Sequence, residues 1–464
     1  MQPQHNKTQN DNLQRNLKNR HLQLIAIGGA IGTGLFMGSG KTIHLAGPSV
    51  LLTYILIGFF LFFVMRAMGE LLLSNLHYKS FTDFTHDILG SGAGFFVGWT
   101  YWFSWVVIGM ADIIAITGYI QFWWPDVPLW LPGLGCIILI TSLNMLTVKL
   151  FGEMEFWFAL IKIVAILSLV LVGIYLVSTG FVNPNTGIKA SITHLWAREG
   201  GFFPNGINGF FAAFQIAFFA FLGIGLVGTE AAEAEDPYRN LPIAINRIPV
   251  RIIVFYLLAL MVIMTVTPWD EVNPKVSPFV NMFTLIGIPI AASLINLVVL
   301  SSALSSANSG MFSTGRMLFG LARNESAPSV FGKLNISGVP VPALLFSCMF
   351  LFVGLILTYF KDSDDIMKVF TIVSTVSNIG FIFVWSMILL AYVKYRKTRP
   401  DLHAQSVYKM PGGVPMAWTC LAFLLFSMYL FTRDADTLQG MLFTPLWFGF
   451  LSVIYLVKYR KTVK

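Results

Sequence analysis

Charge is what this sequence has least of. Asp, Glu, Lys and Arg make up 11% of its 464 residues, against 56% hydrophobic residues and a mean hydropathy of +0.73. A soluble domain carries about a quarter charged residues, so a water-soluble globular fold is excluded. Cysteine is scarce as well: Cys136, Cys348 and Cys420 lie far apart inside apolar runs, with no spacing that suits a disulfide framework, a metal or redox chemistry. No Pro/Ser-rich linker and no soluble domain interrupts the chain, whose longest polar connection is roughly residues 180–206. Catalytic triads, metal clusters and cofactor fingerprints do not stand out, which leaves an enzyme without support. Gly40-Lys41-Thr42 imitates the end of a phosphate-binding loop, but the glycine required five places earlier is Leu35 and no strand precedes it. An ATP-driven pump therefore has no motif to stand on.

What the chain has in abundance is apolar runs of bilayer-spanning length. They fall near residues 22–43, 49–74, 92–122, 129–147, 154–178, 207–232, 248–268, 281–312, 342–360, 367–393, 416–431 and 440–457. The expectation is an all-α integral membrane protein of about twelve transmembrane helices. Residues 1–20 are polar, carry Lys7, Arg15, Lys18 and Arg20, and lack the apolar core of a signal peptide, so they are expected to remain as a cytoplasmic tail. Residues 21–464 form one transporter domain. Lys and Arg concentrate in the ends and loops assigned inside, most clearly Lys394, Arg396, Lys397 and Arg399 and the tail Lys458, Arg460, Lys461 and Lys464. Both termini are thus placed in the cytoplasm. The net charge of +8 reflects this topology and anionic lipid, with no nucleic-acid partner.

Two of the runs are interrupted by glycine. The first contains Gly28, Gly29, Gly32 and Gly34 around Thr33; the second contains Gly223, Gly225 and Gly228. Paired interruptions at matching places in two halves point to the central site of a transporter built from an inverted repeat. Helices 1–5 and 6–10 each begin with such a span, and an odd number of spans makes the second half enter from the opposite side. The repeats run over about 21–180 and 205–395, with helices 11 and 12 appended over about 414–458.

Where a helix opens, main-chain groups lose their partners, and in lipid each such group costs several kcal/mol unless a ligand or cavity satisfies it. The amides of Gly32, Thr33 and Gly34, at the positive start of a half-helix, suit a carboxylate. The carbonyls from Phe219 to Gly223, at the negative end of another, suit an ammonium. A site holding both recognises the backbone of an amino acid. The same glycines also serve close helix packing, and the sequence leaves both readings open. Neither break carries a charged side chain, which fits a small neutral substrate.

Ionisable residues at membrane depth mark function by default. Lys162 lies about two turns into the fifth span and Asp112 near the middle of the third. A lysine in a dry cavity sheds its proton readily and could carry it through a cycle, or could stand as a fixed positive charge; the alternative is that it snorkels to the interface. Asp112 serves either transport or a hydrogen bond to a neighbouring helix. In the eighth span Ser301, Ser302, Ser305, Ser306, Asn308 and Ser309 cluster, and Ser301, Ser305 and Asn308 share a face expected to line the polar pathway. Ser374, Thr375, Ser377 and Asn378 repeat the pattern more weakly in the tenth. Trp99, Trp102 and Trp105, at period three, read as packing or interface anchors.

These motifs resemble a known family. The run from Gly28 through Gly40, the stretch from Ala46-Gly47-Pro48 to Met68-Gly69-Glu70, Gly152 through Lys162 and Ser305 through Ala322 are similar to the amino acid permeases of the amino acid-polyamine-organocation superfamily, over essentially the full chain. The resemblance implies a five-plus-five inverted-repeat fold with broken helices 1 and 6. It also implies uptake, across the bacterial inner membrane, of small neutral amino acids such as glycine, D-alanine, D-serine or L-alanine, together with a proton. By the same resemblance Gly32, Thr33 and Gly34 bind the substrate carboxylate, Phe219, Ala220 and Phe221 bind the amine and gate the site, and Lys162 takes the place of a sodium ion. One departure stands out. Members usually carry Glu in a Gly-Ile-Glu pattern in helix 6, where this chain has Gly225; Glu230 lies five residues on, about 140° around the helix axis, and does not replace it. A neutral amino acid exchanger, a proline-type permease and a sensor that binds without transporting share most of these features.

Overall fold

The computed structural model describes residues 31–230, 236–287, 289–359 and 366–459. The tail 1–20 and the glycines Gly28 and Gly29 lie outside the described residues. After a bend at Ile31 and Gly32, the chain forms α1 (Thr33–Phe36), α2 (Gly38–Ala46), α3 (Val50–Ser74), α4 (Phe81–Leu89), α5 (Ser91–Ile120), α6 (Trp130–Asn144) and α7 (Val148–Ser178). The second half holds α8 (Gly206–Ala212), α9 (Phe214–Phe219), α10 (Val227–Glu230), α11 (Pro237–Val266), α12 (Pro278–Leu285), α13 (Pro289–Arg323), α14 (Val341–Tyr359), α15 (Ile366–Thr398), α16 (Pro400–Gln405), α17 (Gly413–Leu430) and α18 (Ala435–Tyr459). Among the described residues the fold is helical, the one isolated β contact being an antiparallel bridge between Val182 and Lys189.

Eight helical stretches among the described residues are long and apolar enough to cross a bilayer, and three shorter apolar helices, Trp130–Asn144, Ile253–Val266 and Val341–Leu357, accompany them. With no water at that depth a helix satisfies its own main chain, and this is why the apolar runs become helices. Several exceed the hydrophobic runs that mark them. α7 starts at Val148, capped by the Thr147 side chain, and α11 starts at Pro237, capped by Asp236; both begin in polar sequence that hydropathy alone passes over. The run near 281–312 divides in two, α12 and α13, with Gly287 at φ +75° between them.

Helix α5 is the axle of the bundle. In its apolar stretch 83% of residues are buried, against 17% for α18, and it packs on α13, α14 and α15. Small residues set these close approaches. A methyl group on Gly380 of α15 would lie 2.0 Å from Ser104 Oγ, and one on Gly354 of α14 would lie 2.9 Å from Met110 Cα. Such small-residue seams are how membrane helices gain dispersion contacts where lipid gives no hydrophobic drive to associate.

At one end of the molecule the link from α15 to α17 folds back over the helix ends. Glu70, fully buried on α3, pairs with His403 Nδ1 at 2.6 Å and accepts from the Met410 amide at 2.7 Å. Arg399 donates to Asp87 Oδ2 at 2.8 Å and to the Tyr78 hydroxyl at 3.1 Å. The guanidinium of Arg399 and then the Tyr78 hydroxyl hold the Asp87 carboxyl below the usual carboxylate range.

Candidate functional site

The two glycine breaks meet. At the first, Gly32 is extended (φ −122°, ψ −155°) and its carbonyl accepts from the amides of Leu35 and Phe36, starting the short α1. Among the described residues no acceptor faces the amides of Gly32, Thr33 and Gly34. At the second, α9 ends at Phe219 and the chain tightens into a 3₁₀ turn over Leu222–Leu226 before α10 resumes. The Ala220 amide still donates to the Ile216 carbonyl (3.1 Å) and the Phe221 amide to the Phe218 carbonyl (3.0 Å), whereas the Phe219 carbonyl accepts no backbone hydrogen bond among the described residues.

Contact between the breaks is direct. A methyl group on Gly34 would stand 2.7 Å from Ala220 Cα and 2.9 Å from its nitrogen, so only glycine fits. Gly34 therefore serves both readings of the sequence, close packing and an exposed main chain. The cavity between them is lined by Gly32, Thr33 and Gly34 on one side and Phe219, Ala220, Leu222 and Gly223 on the other, and is closed by Trp105, Ile108 and Ser306. Its volume is about 10 Å³, room for about one water molecule.

Neighbouring helices hold this junction in place. Ser302 Oγ of α13 donates to the Ile31 carbonyl at 2.7 Å, satisfying the acceptor that the first break exposes. Thr33 Oγ1 donates to Asp112 Oδ1 of α5 at 2.7 Å. Asp112 thus reaches the first break itself, which the sequence, with 79 residues between the two, could not show. On the second break the Tyr256 hydroxyl of α11 donates to the Ala220 carbonyl at 2.8 Å. Phe221 turns away from the cavity onto Tyr54 and Tyr256, and Phe219 packs edge-on against Phe370. Helix α15 joins through Asn378, whose Nδ2 donates to the Gln215 carbonyl at 2.7 Å, and Ser374, which accepts from Gln215 Nε2 at 3.0 Å.

A second polar centre lies between α7 and α13. Lys162 is fully buried and does not reach an interface. Its Nζ donates to Ser305 Oγ at 3.0 Å, Ser305 donates to Glu155 Oε2 at 2.7 Å, and Asn308 Nδ2 donates to Glu155 Oε1 at 2.7 Å. Asn144 of α6 completes it, donating to Asn308 Oδ1 at 2.7 Å. Glu155 and Lys162, seven residues apart, share a face of α7; that spacing of opposite charges was the signal by which Glu155 could have been found. Ser305 and Asn308 thus come to Lys162. Ser301 donates to its own Val298 carbonyl (2.8 Å), and it is Ser302 and Ser306, one residue further round, that reach the break junction.

Beyond the junction Tyr101, Thr229 and Ser313 share hydroxyl hydrogen bonds of 2.8–3.3 Å. At Gly225 a methyl group would come 3.2 Å from Phe381 Cε1, so rings from α15 take the space beside the position where the family resemblance leads one to expect a carboxylate. The Glu230 side chain lies outside the described residues.

Comparison with known proteins agrees with this architecture. The amino acid permease family profile matches residues 21–464. The D-serine/D-alanine/glycine transporter of Escherichia coli (strain K12) is 61% identical over 94% of this chain and 92% of its own length. Amino-acid permease AapA of Bacillus subtilis (strain 168) is 51% identical over 98% of this chain and 96% of its own. The aromatic amino acid transport protein AroP of Escherichia coli O6:H1 is 38% identical over 98% and 97%. The chain, helical and multi-pass among its described residues, therefore belongs to the amino acid permease family.

Proposed function

We propose that the protein is a secondary active permease that imports small neutral amino acids, glycine, D-alanine, D-serine and L-alanine among them, with a proton, across the bacterial cytoplasmic membrane. The observation that carries this reading is the meeting of the two breaks at Gly34 and Ala220, where main-chain groups of opposite polarity share one cavity. The Gly32, Thr33 and Gly34 amides take the carboxylate, and carbonyls around Phe219 take the ammonium, with Phe219, Ala220 and Gly223 forming the gate and Phe221 anchoring it from behind on Tyr54 and Tyr256. Neither polar group keeps bulk water, so each holds its ligand group in a low-dielectric setting where such dipoles act strongly. The relatives' names support the substrate class: one transports D-serine, D-alanine and glycine.

Lys162 is the proton carrier in this reading. It sits among Ser305, Glu155 and Asn308, a lysine whose charge has a partner in one protonation state and whose neutral form suits its dry surroundings. Asp112 is joined to the carboxylate site through Thr33, and α13 connects the two regions, with Ser305 and Asn308 at the Lys162 centre and Ser302 and Ser306 at the junction. The topology is that of twelve spans in two inverted repeats, about residues 21–180 and 205–395, followed by two appended helices over about 414–458, with the tail 1–20 and both termini in the cytoplasm. Glycine-broken α1 and α9–α10 at the head of each half support the repeat.

The test is uptake of radiolabelled glycine into proteoliposomes with and without an imposed pH gradient, competed by D-alanine, D-serine and L-alanine. Gradient-dependent accumulation blocked by all three is expected. Accumulation indifferent to pH would leave an exchanger, and binding without uptake would leave a sensor.

A further inference from the structure

The three tryptophans at period three on α5 part company in the structure. Trp99 Nε1 donates to the Ser326 carbonyl at 3.0 Å and Trp102 Nε1 to Ser347 Oγ at 2.8 Å, so both spend their polar atom on packing. Trp105 is as buried as Trp102, lines the cavity between the breaks, and its Nε1 has no hydrogen-bond partner among the described residues. A buried indole N–H ordinarily finds an acceptor; here the cavity is where one can be supplied.

The ring is also fixed. Its benzo edge lies on Gly310 of α13, where a methyl group would be 2.7 Å from Cε3 and 3.3 Å from Cζ3. That edge is opposite the one bearing Nε1, so the contact with Gly310 does not cover the N–H. Phe381 meets the ring edge-on at a centroid distance of 5.8 Å, and Tyr101 stands 6.4 Å away. Held between α13 and α15, with Tyr101 of its own helix beside it, the indole is a wall that cannot step aside for a larger ligand. The carboxylate and ammonium of a bound amino acid are taken by the two breaks, so the remaining walls, Trp105, Ile108, Leu222 and Ser306, are left to meet its side chain.

We propose that Trp105 determines side-chain specificity: its N–H donates to the hydroxyl of a serine-type substrate, and its ring limits the side chain to about the size of CH2OH. This rests on the small-amino-acid permease reading given above. Glycine and alanine leave the donor to a water molecule, so they are accepted, but without that hydrogen bond.

The experiment compares initial uptake of radiolabelled D-serine and D-alanine, each well below saturation, in the same proteoliposomes. Because both substrates are read from one preparation, their ratio is independent of how much protein folds. Trp105→Phe keeps a ring and removes the donor; the serine-to-alanine ratio should fall about five- to tenfold, the worth of one neutral hydrogen bond. Trp105→Leu removes most of the wall, and threonine and valine should compete with glycine at least tenfold better than in the unaltered protein. A serine-to-alanine ratio unchanged within about twofold in Trp105→Phe, with unaltered protein transporting normally, overturns the inference and leaves the permease reading standing. Unaltered protein that takes up neither amino acid overturns the permease reading itself.

Discussion

The break junction and the Lys162 centre are both buried and both polar, yet they are built from opposite materials. At the junction the polar groups are main-chain amides and carbonyls, fixed by glycine and by the close approach of Gly34 to Ala220. At the second centre they are side chains, Lys162, Glu155, Ser305, Asn308 and Asn144, linked in a chain of hydrogen bonds. A main-chain dipole cannot change its charge, so it suits recognition of a zwitterion that must be released unaltered. A lysine and a carboxylate can exchange a proton, which suits coupling. In the proposed function the contrast separates holding from driving, and the helix that joins the two centres is α13: Ser302 and Ser306 face one, Ser305 and Asn308 the other. A shift of α13 would register at both.

The largest effect should come from closing the junction. Gly34→Val forces a branched side chain into the 2.7 Å gap against Ala220 Cα, and glycine uptake should fall more than about a hundredfold, a loss above about 2.7 kcal/mol; uptake within tenfold of normal would show that the breaks need not touch. Lys162→Ala should sharpen the contrast by abolishing accumulation driven by a pH gradient while substrate counterflow persists. Full gradient-driven accumulation by that variant would remove Lys162 from the coupling role.

Glu155→Ala strips the lysine's partner and leaves Ser305 and Asn308 without their acceptor. Breaking a buried pair from one side costs about 3 kcal/mol, to be read as a lower melting temperature in detergent, and a melting temperature matching the unaltered protein would mean the pair holds nothing together.

The smallest effect belongs to a pair outside both centres. Asp87, 44% exposed beside Arg399, has its carboxyl held below the usual range by Arg399. A lowered folded-state value stabilises above the unfolded value near pH 4 and is lost as pH falls through the folded one. Asp87→Asn should therefore cost under about 1 kcal/mol at pH 7, an exposed pair being well screened, with the difference from unaltered protein shrinking in acid. Uptake should not change.

Glycine and charge are conspicuous in an apolar chain, and this is what singles out the residues of the proposed site in the sequence. Gly32, Thr33 and Gly34, the Phe219–Gly223 segment, Lys162 and Asp112 all announce themselves by composition, and the helical membrane fold follows from hydropathy. What stayed hidden depends on rotation about a helix axis. Six polar residues within nine positions of α13 cover two adjacent stripes, and spacing cannot say which stripe meets which neighbour; it favours the Ser301, Ser305 and Asn308 face, while Ser302 and Ser306 reach the junction. Trp105 hides for a similar reason, since its sequence context matches Trp99 and Trp102 and only the missing hydrogen-bond partner sets it apart. Glu155 was overshadowed by the lysine it serves.

The central claim is that main-chain groups at the junction grip both ends of a zwitterion. Its most direct test is equilibrium binding of radiolabelled glycine to purified protein, competed by glycinamide, which lacks the carboxylate, and by propionate, which lacks the amine. Each should bind at least about a hundredfold more weakly than alanine. Displacement of glycine by either compound at alanine's concentration would contradict the account.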